Sequence, residues 1–498
     1  MIVKNVCLML ISMFFLLSSY GQGIESKIFN VIDFGAKPNS SVDSRKAFQK
    51  CLDEASRNRG KCFVPEGVYV LSGDIFLNSN TIFQGVSEKT VLKFKQGGIR
   101  GKKNNSTNFF YPQNYGKEIV PSAVETSIVR VDNKSRNSIV VKDPSKFKKG
   151  DDIVVFNGKR NTWTILENEN KSGHWNTEDL NTIGRGGSFV IEDIKNNILV
   201  LNEGINFDNW EDQAKVSLRS GIKDVVIKDL TIEAAETFYG INIEQPLRVK
   251  ISGNVISGRG GVLLSNYAND CEINDNNIVA GPNFCISVEN FSSHNIIKNN
   301  DVVFKRNSYK GKDCAIIVVL SSYNNVVAYN KVQNIGEVDR NFGGIFVHAF
   351  CFNNKVYGNN ITGASTGLGV YFGSYNNIFQ NNSVVNSRIG FVSHYTRLNT
   401  ISNNTFGIKF KTKMNTYGFL SLGSKNIIFS QNRIKGDMTF GVAVQDKILS
   451  DSTFGEIQNN DIVREGNGYS LDVNVIGSNK KVFQTRIENV RSQNRFKW

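Results

Sequence analysis

Apolar and polar positions repeat together through the second half of the chain, and each repeat combines a short strand with a turn. An Asn is followed two residues later by Val, Ile or Phe, at intervals of 22 to 30 residues. The positions are Asn254, Asn276, Asn300, Asn330, Asn359, Asn382, Asn404, Asn432 and Asn460. Nearly every interval also contains a small residue followed by alternating apolar residues, as in residues 344–348 and 367–371. Such alternation is typical of a strand with one buried face.

A repeat of this length is the size of one coil in a solenoid built from strands. Asn suits the turns, because it tolerates left-handed backbone and its amide can bond to the same residue one coil away. Coils of this kind stack on their neighbours and share one continuous core. The pattern therefore predicts an all-β fold, a parallel β-helix solenoid over residues 217–498.

Residues 24–103 show a different order of elements: strand, helix, and then further strands. The predicted helix follows Asp43, and its apolar face carries Phe48, Cys51 and Leu52. The runs FGAKPNSSVDSRKAFQKCLDEA and CFVPEGVYVLSGDIFLNSNTIFQGV resemble the start of the pectate-lyase-like superfamily of carbohydrate-active β-helix proteins. This resemblance implies a right-handed parallel β-helix whose open N-terminal end is capped by the helix. The superfamily contains lyases, hydrolases, epimerases and phage tailspikes, so it leaves the reaction open.

Residues 104–216 interrupt the repeat. The runs SIVVKDPSKFKKGDDIVVF and SFVIEDIKNNILVL predict short paired strands, and we interpret the segment as a small inserted β-subdomain. Between these runs, residues 161–187 form a polar stretch that carries Trp163, His174 and Trp175. A long loop with two tryptophans either covers a substrate cleft, which would make His174 a substrate contact, or packs on the insert itself.

Residues 1–23 have the pattern of a secretory signal peptide. A single positive charge at Lys4 precedes an apolar run over residues 6–17, and small and polar residues follow. No other stretch is apolar enough to span a bilayer. We therefore expect export to the periplasm or outside the cell. Of the six remaining cysteines, only Cys51 and Cys62 suggest a disulfide, and no Cys or His spacing indicates zinc.

The charge balance narrows the class of partner. The chain has 59 Lys and Arg against 45 Asp and Glu, a formal net charge of +14. Such an excess favours a polyanion. The sequence has no Lys/Arg-rich arm and no recognisable nucleic-acid module, so we expect a monomer that binds an acidic polysaccharide or oligosaccharide and not nucleic acid. No motif in the sequence indicates a cofactor.

Strand alternation identifies candidate catalytic residues. Ile345 and Val347 are predicted to point into the solenoid, and the next residue, His348, to point outward. The equivalent positions of successive coils form a predicted outer column: Glu244, Ser265, Glu289, Val319, His348, Tyr371, His394, Leu422 and Gln445. Strands stack about 4.8 Å apart, so His348, Tyr371 and His394 are expected to form an exposed ladder. Two of the four histidines of the chain fall in this column.

A His–Tyr–His group suits β-elimination from a uronic acid. The reaction needs a base for the C5 proton, an acid for the departing C4 oxygen, and cations at the carboxylate. His394 and His348 are the candidate bases and Tyr371 the candidate acid. The candidate carboxylate and subsite contacts are Arg306, Lys312 and Arg340 in loops, and Arg388 and Arg397, which are expected to flank His394. The simpler interpretation is that the three column side chains only stack on one another and that the charged side chains around them are solvated.

Other functions remain open on the same scaffold. Glu244 and Glu289 lie two coils apart, near the upper carboxyl separation of inverting glycoside hydrolases, although the motifs of polygalacturonase-like hydrolases are not recognisable. A C5-epimerase or a uronide dehydratase would begin with the same proton abstraction. A non-catalytic glycan-binding β-helix would explain fold and charge without the column. Acidic residues are scattered, so no metal site is predicted.

Overall fold

The computed structural model describes residues 27–101, 124–132, 134–157, 185–205, 214–235, 239–281, 283–305, 314–335, 342–409, 414–445, 455–465, 473–476, 488 and 490–497. These residues form a parallel β-helix with three long sheets and a six-stranded barrel inserted near its N-terminal end. Signal residues 1–23 and the candidate contacts His174, Arg306, Lys312 and Arg340 lie outside the described residues.

Each coil contributes one strand to each of three sheets, which we name A, B and C in chain order. Sheet A contains Ile28–Asn30, Lys61–Phe63, Ile82–Gln84, Lys223–Lys228, Leu247–Ser252, Glu272–Asn274, Ile296–Lys298, Val326–Ala328, Lys355–Tyr357, Ile378–Gln380, Thr400–Ser402, Ile428–Ser430 and Ile457–Gln458. Sheet B contains Ser40–Asp43, Gly67–Leu71, Thr90–Phe94, Thr231–Glu233, Val255–Gly258, Asn277–Ala280, Asp301–Lys305, Lys331–Ile335, Asn360–Thr362, Ser383–Ser387, Thr405–Ile408, Arg433–Gly436, Asp461–Arg464 and Arg495–Lys497.

Sheet C carries the candidate residues. It contains Ile75–Leu77, Ile99–Gly101, Tyr239–Glu244, Gly260–Ser265, Ile286–Glu289, Cys314–Val319, Gly343–His348, Thr366–Tyr371, Ile389–His394, Tyr417–Leu422, Phe440–Gln445 and Val473–Ile476. Neighbouring strands pair in parallel, so each outward position stacks on its equivalent in the next coil. Inward side chains such as Ile345, Val370 and Phe391 are fully buried and build the core.

A ladder of buried asparagines lies between sheets A and B and fixes the register of the coils. Asn359 is representative: its Nδ2 donates to the carbonyls of Val327 and Tyr357 and to Oδ1 of Asn382. Its Oδ1 in turn accepts from the backbone N–H and Nδ2 of Asn330. The nine Asn positions of the sequence repeat belong to this ladder, which ends at Asn494. The sequence pattern therefore correctly predicts the turns.

The inserted barrel packs against the turns that lead from sheet C to sheet A. Its strands are Glu125–Val131, Ser138–Val141, Asp152–Asn157, Arg185–Lys195, Ile198–Leu201 and Ala214–Leu218. Tyr323 and Phe352 of the solenoid belong to the apolar core of the barrel. Arg219, which follows the last barrel strand, is partly buried and donates to the carbonyls of Gln245 and Tyr267 at 3.0 and 2.9 Å. The barrel is thus anchored to the solenoid and not only tethered by its ends.

The N-terminal helix, α1, comprises Arg45–Arg57 and covers the first coils with Phe48, Cys51 and Leu52, as the amphipathic pattern predicts. Short 3₁₀ helices occupy Val31–Phe34 and Pro144–Lys146. Cys51 and Cys62 are both buried in this cap, but they remain free thiols, so the disulfide considered from the sequence is not formed. Within the described ranges, no helix has both the length and the apolar character needed to cross a membrane.

We expect Asn359→Ala to lower the free energy of unfolding by about 2–4 kcal/mol, because it leaves buried backbone carbonyls and the amide of Asn330 without partners. Urea unfolding followed by circular dichroism measures the change. Asn360→Ala is the matched control, since Asn360 is the next residue and is exposed. Equal effects of the two substitutions would contradict a stabilising role for the ladder.

Candidate functional site

The register of sheet C places the predicted outer column in one line. Val319 pairs with His348, and Tyr371 pairs with His394, which pairs with Leu422 on the following coil. Val347 pairs with Val370, so His348 and Tyr371 are also adjacent. His348 and His394 therefore lie on the same face of the solenoid, two coils apart.

The rings of this group are in contact with one another. The ring centroids of His348 and Tyr371 lie 5.3 Å apart, and those of Tyr371 and His394 lie 6.1 Å apart. Phe372 lies between the two imidazoles, at 5.1 Å from His348 and 5.0 Å from His394. Tyr395 packs at 4.5 Å from His394. The column is therefore partly buried by its own aromatic neighbours, and not the fully exposed ladder expected from alternation alone.

Phe372 and Tyr395 were not singled out from the sequence. Each directly follows a column residue, at the point where the chain leaves sheet C. Both have left-handed backbone, with φ of 42° and 53°, which turns their rings back toward the column. An aromatic residue immediately after each of two column positions is the signal that could have identified them.

Burial sets the protonation states of His348 and Tyr371. Removal from water, together with the nearby His394, lowers the pKa of His348 to about 3. Its imidazole is therefore neutral near pH 7. Burial also raises the pKa of Tyr371 well above its ordinary value, so its phenol keeps its proton. The column pairs a neutral imidazole with a protonated phenol.

A glycine makes room for the Tyr371 ring. A Cβ on Gly369 would lie 2.4 Å from the ring and 2.9 Å from its hydroxyl oxygen, so the ring lies back along its own strand. It packs against an apolar cluster that includes Ile389 and Tyr417. The phenol thus points along the strand, and the two imidazoles remain at the strand ends.

Arg388 does not flank His394. It precedes the strand Ile389–His394, six residues from His394, and six residues of strand span about 20 Å. Its guanidinium donates to the carbonyl of Asn415 at 3.2 Å. Burial lowers the pKa of Arg388, and Tyr417 and Tyr371 oppose this shift. Arg388 therefore lies on the side of the Tyr371 phenol and not beside the imidazole.

Arg397 also lies elsewhere than expected. Although it is three residues from His394, it belongs to a column on the turn from sheet C to sheet A, in register with Tyr375 and Lys425. Its guanidinium lies 5.0 Å from the centroid of the Tyr375 ring. The left-handed residue Tyr395 redirects the chain between the two positions, and the sequence did not reveal this turn.

Glu289 lies in the outer column two coils before His348, with Val319 between them. Its side chain is 2% exposed, and Oε1 accepts a hydrogen bond from Ser287. Oε2 has no hydrogen-bond partner within the described part of the chain. Burial raises the pKa of Glu289 to about 7, and the Ser287 hydrogen bond only partly offsets this. No group of three or more His, Cys, Asp or Glu residues suited to a metal occurs within the described ranges.

The raised pKa of Glu289 predicts a pH-dependent stability. The folded state holds this proton up to about pH 7, whereas an unfolded Glu loses it near its ordinary pKa of 4.5. The stabilisation is complete below pH 4.5 and is lost as the pH rises to about 7, on the order of 3 kcal/mol in all. Relative to wild type, Glu289→Gln should therefore be more stable at pH 8 than at pH 5, as measured by urea unfolding.

The exposed Glu88 provides the matched control, because Glu88→Gln should shift stability by the same small amount at both pH values. If the unfolding free energies of the wild type and of Glu289→Gln differ by the same amount from pH 5 to pH 8, the folded state does not retain a proton on Glu289.

Comparison with known proteins agrees with this architecture. Residues 28–258 match the family model described as Rhamnogalacturonase A/epimerase, pectate lyase-like. No curated protein matches the chain in sequence. The A-module of the mannuronan C-5 epimerase AlgE6 from Azotobacter vinelandii has a similar structure, with a TM-score of 0.50 and 14% identity over 91% of this chain and 99% of that module.

The tailspike gp61 of Pseudomonas phage phi297 aligns over 90% of this chain and 82% of its own, with 11% identity and a TM-score of 0.45. At 14% identity, the similarity to the AlgE6 module supports the fold and not the activity. The family match covers the cap, the insert and the first coils, and the same parallel stacking continues through the coils that follow. Residues 28–258 are therefore similar to pectate-lyase-like proteins, and the described chain as a whole has the parallel β-helix fold.

Proposed function

We propose that this protein is an exported, monomeric enzyme that degrades an acidic polysaccharide or oligosaccharide by β-elimination next to a uronate carboxylate. The observation that carries the proposal is the contact of His348, Tyr371 and His394 in one partly exposed column. The superfamily supports action on carbohydrate, and the net charge of +14 supports an anionic substrate. Export rests on the signal-like pattern of residues 1–23.

His394 is the better base of the two histidines. A group whose pKa is near 3 is a weak base at neutral pH, so His348 accepts a proton poorly. A positive charge on His394 also disfavours protonation of His348. In this scheme His394 takes the C5 proton, and His348 stays neutral and forms hydrogen bonds to the substrate.

Tyr371 supplies the acid. Because burial keeps its phenol protonated, it can donate a proton but cannot serve as the resting base. As His394 takes the C5 proton, the C4–O bond breaks and the departing oxygen receives the phenolic proton, which leaves a C4–C5 double bond. Proton exchange with water then restores both groups. Arg388 contributes positive charge on the phenol side, and we assign Arg306, Lys312 and Arg340 to the substrate carboxylates.

Hydrolysis is a second candidate, favoured by the raised pKa of Glu289, which suits a general acid. Glu244 would be the base, about 9.6 Å away by strand spacing, close to the upper limit for inversion. Against this, Glu289 is covered in the structure, whereas His394 is partly exposed. The name of the family model mentions an epimerase, and epimerisation at C5 would begin with the same proton transfer to His394.

The first experiment incubates the purified protein with alginate, polygalacturonate, ulvan and chondroitin and with their oligomers. We expect a rise in near-ultraviolet absorbance from the new double bond on one of these substrates. New reducing ends without absorbance would support hydrolysis by Glu244 and Glu289. Exchange of the C5 hydrogen with deuterated solvent, without chain cleavage, would support epimerisation. No change by any of these readouts would refute an enzymatic role on these glycans.

Variants then assign the roles. His394→Ala should lower kcat about 10²- to 10⁴-fold, and Tyr371→Phe should have a similar effect, because each removes a proton-transfer group. His348→Gln should retain far more activity, since a neutral amide can replace a neutral imidazole. His294→Gln is the control, because His294 lies outside the column, near Glu203 of the barrel. If His348→Gln is as inactive as His394→Ala, the proposed division of roles is wrong.

A further inference from the structure

One exposed tyrosine interrupts a column of polar residues at the turn from sheet A to sheet B. This turn column is formed by the residue directly before each of the nine ladder asparagines, and its backbone is left-handed in all nine coils. Eight of its members are small or polar: Gly253, Asp275, Asn299, Gly358, Asn381, Asn403, Gln431 and Asn459. The ninth is Tyr329, a bulky residue in a conformation that Gly, Asn and Asp adopt far more readily.

Packing does not explain this tyrosine. Aromatic residues with left-handed backbone on the turn from sheet C to sheet A, such as Tyr267 and Phe291, are 2% and 8% exposed and pack against the barrel. Tyr329, in contrast, is 60% exposed. An Asn at this position would fit the turn at lower cost, so the tyrosine indicates a function at the surface.

The Tyr329 ring is held in a fixed place. A Cβ on Gly358, the equivalent residue of the next coil, would lie 2.6 Å from two carbons of the ring, so the ring lies over the backbone of that glycine. The Tyr357 ring meets it edge-on, with the centroids 5.3 Å apart and the planes at 88°. The Tyr329 N–H donates to the carbonyl of Tyr357 at 3.1 Å. Gly358 and Tyr357 thus orient a ring that remains largely open to solvent.

The residues beside the ring are polar or positively charged. Asn299 and Asn381, one coil before and two coils after Tyr329 in the same turn column, are both exposed. Lys355 lies two residues before Tyr357 on one strand of sheet A, so both side chains leave the outer face of that sheet. Lys355 is exposed and forms no ion pair with any residue that the structure describes. This edge of the solenoid therefore combines an aromatic ring, two amides and a cation.

We propose that Tyr329, Tyr357 and Lys355, with Asn299 and Asn381 beside them, form a second glycan-binding site that holds an acidic polysaccharide away from the sheet C column. The acidic class of glycan rests on the proposed function and on the net charge of +14. A sugar ring offers an apolar C–H face, which packs on an aromatic ring, and hydroxyls, which form hydrogen bonds to amides. The Lys355 ammonium would pair with a uronate carboxylate.

The position of this site suits a polymer and not a protein. Each coil passes along a whole strand of sheet A between the sheet C column and this turn, so a glycan on Tyr329 leaves the column free for another part of the chain. A stable protein interface buries about 800 Å² on each partner. Here the exposed Asn299 and Asn381 border a single pair of aromatic rings, which is narrower than such an interface needs.

The experiment measures binding in variants that also carry His394→Ala, so that turnover does not remove the glycan. Biolayer interferometry follows binding to immobilised alginate, polygalacturonate, ulvan and chondroitin. Tyr329→Asn introduces the residue found at Asn299 and Asn381, so it should fold at least as stably in urea. We expect it to raise Kd about three- to tenfold for the glycan that binds best, through loss of the aromatic contact. Val129→Asn, which removes a 67% exposed apolar side chain from the barrel, should leave Kd unchanged.

An unchanged Kd in Tyr329→Asn, or binding of the parent variant to none of the four glycans, would overturn the second site. A dimer of the wild-type protein that sedimentation velocity detects and Tyr329→Asn abolishes would show that the ring contacts a second copy of the chain, and this too would overturn it. Lys355→Gln should raise Kd severalfold at low salt and less at high salt, because salt screens an exposed charge. The same Kd as the parent at low salt would overturn the pairing of Lys355 with a carboxylate.

Activity separates this site from the proposed function. With His394 intact, Tyr329→Asn should raise KM severalfold on the long polymer and leave kcat and KM unchanged on the shortest oligomer that is cleaved. Elimination that proceeds with the same KM in the wild type and in Tyr329→Asn would overturn the second site and leave the proposed function intact. Binding through Tyr329 without any chemical change to the glycans would support the second site and refute the proposed function on these substrates.

Discussion

In-register parallel stacking is the constraint on which the rest of the molecule depends. Every strand of the solenoid pairs with its equivalent one coil away, so the axial spacing is fixed by backbone hydrogen bonds at about 4.8 Å. The buried Asn ladder between sheets A and B enforces this spacing at the turn, since each amide must meet the next to satisfy its hydrogen bonds. A change of one residue in that turn would disturb the ladder.

Length variation is therefore confined to connections where no ladder must be kept. The segments between sheets B and C range from the single residue Arg388, between Ser383–Ser387 and Ile389–His394, to the eight residues between Asp301–Lys305 and Cys314–Val319. In the coils of His348, Tyr371 and His394 this freedom lies at the start of the sheet C strands, whereas the three residues lie at the strand ends. The barrel, inserted between early coils, packs along the turns at those ends. The scaffold thus fixes the candidate chemical groups and leaves their surroundings to insertions.

Close axial spacing also determines the electrostatics of the column. Two imidazoles two coils apart, with Phe372 between them, cannot both be protonated at low cost in a partly dry environment. The fall of the His348 pKa to about 3 follows from this and from burial. A ladder of identical positions therefore does not give identical chemistry. Burial makes His348 a neutral group that can form hydrogen bonds.

The sequence predicts what is local and periodic. Asn spacing identifies the coils, and alternation places His348, Tyr371 and His394 in one column, because both signals follow directly from strand geometry. Arg397 was misplaced for the opposite reason: the left-handed turn at Tyr395 has no Gly or Asn to announce it. The position of Arg388 relative to Tyr371 depends on Gly369, whose missing side chain lets the ring lie along its strand. Neither the turn at Tyr395 nor the space at Gly369 is marked by a residue type that recurs from coil to coil, so the sequence repeat does not reveal them.

Burial of the outer face is harder still to predict, because it depends on contacts between segments far apart in the chain. Nothing in the sequence around Ser265 and Glu289 shows that these outward positions are covered, since alternation assigns them to solvent as it does His394. Their burial coincides with a barrel that begins more than one hundred residues earlier and returns to pack on Tyr267 and Phe291. In this architecture the repeats determine which side chains share a face, and the insert determines which turn positions are buried.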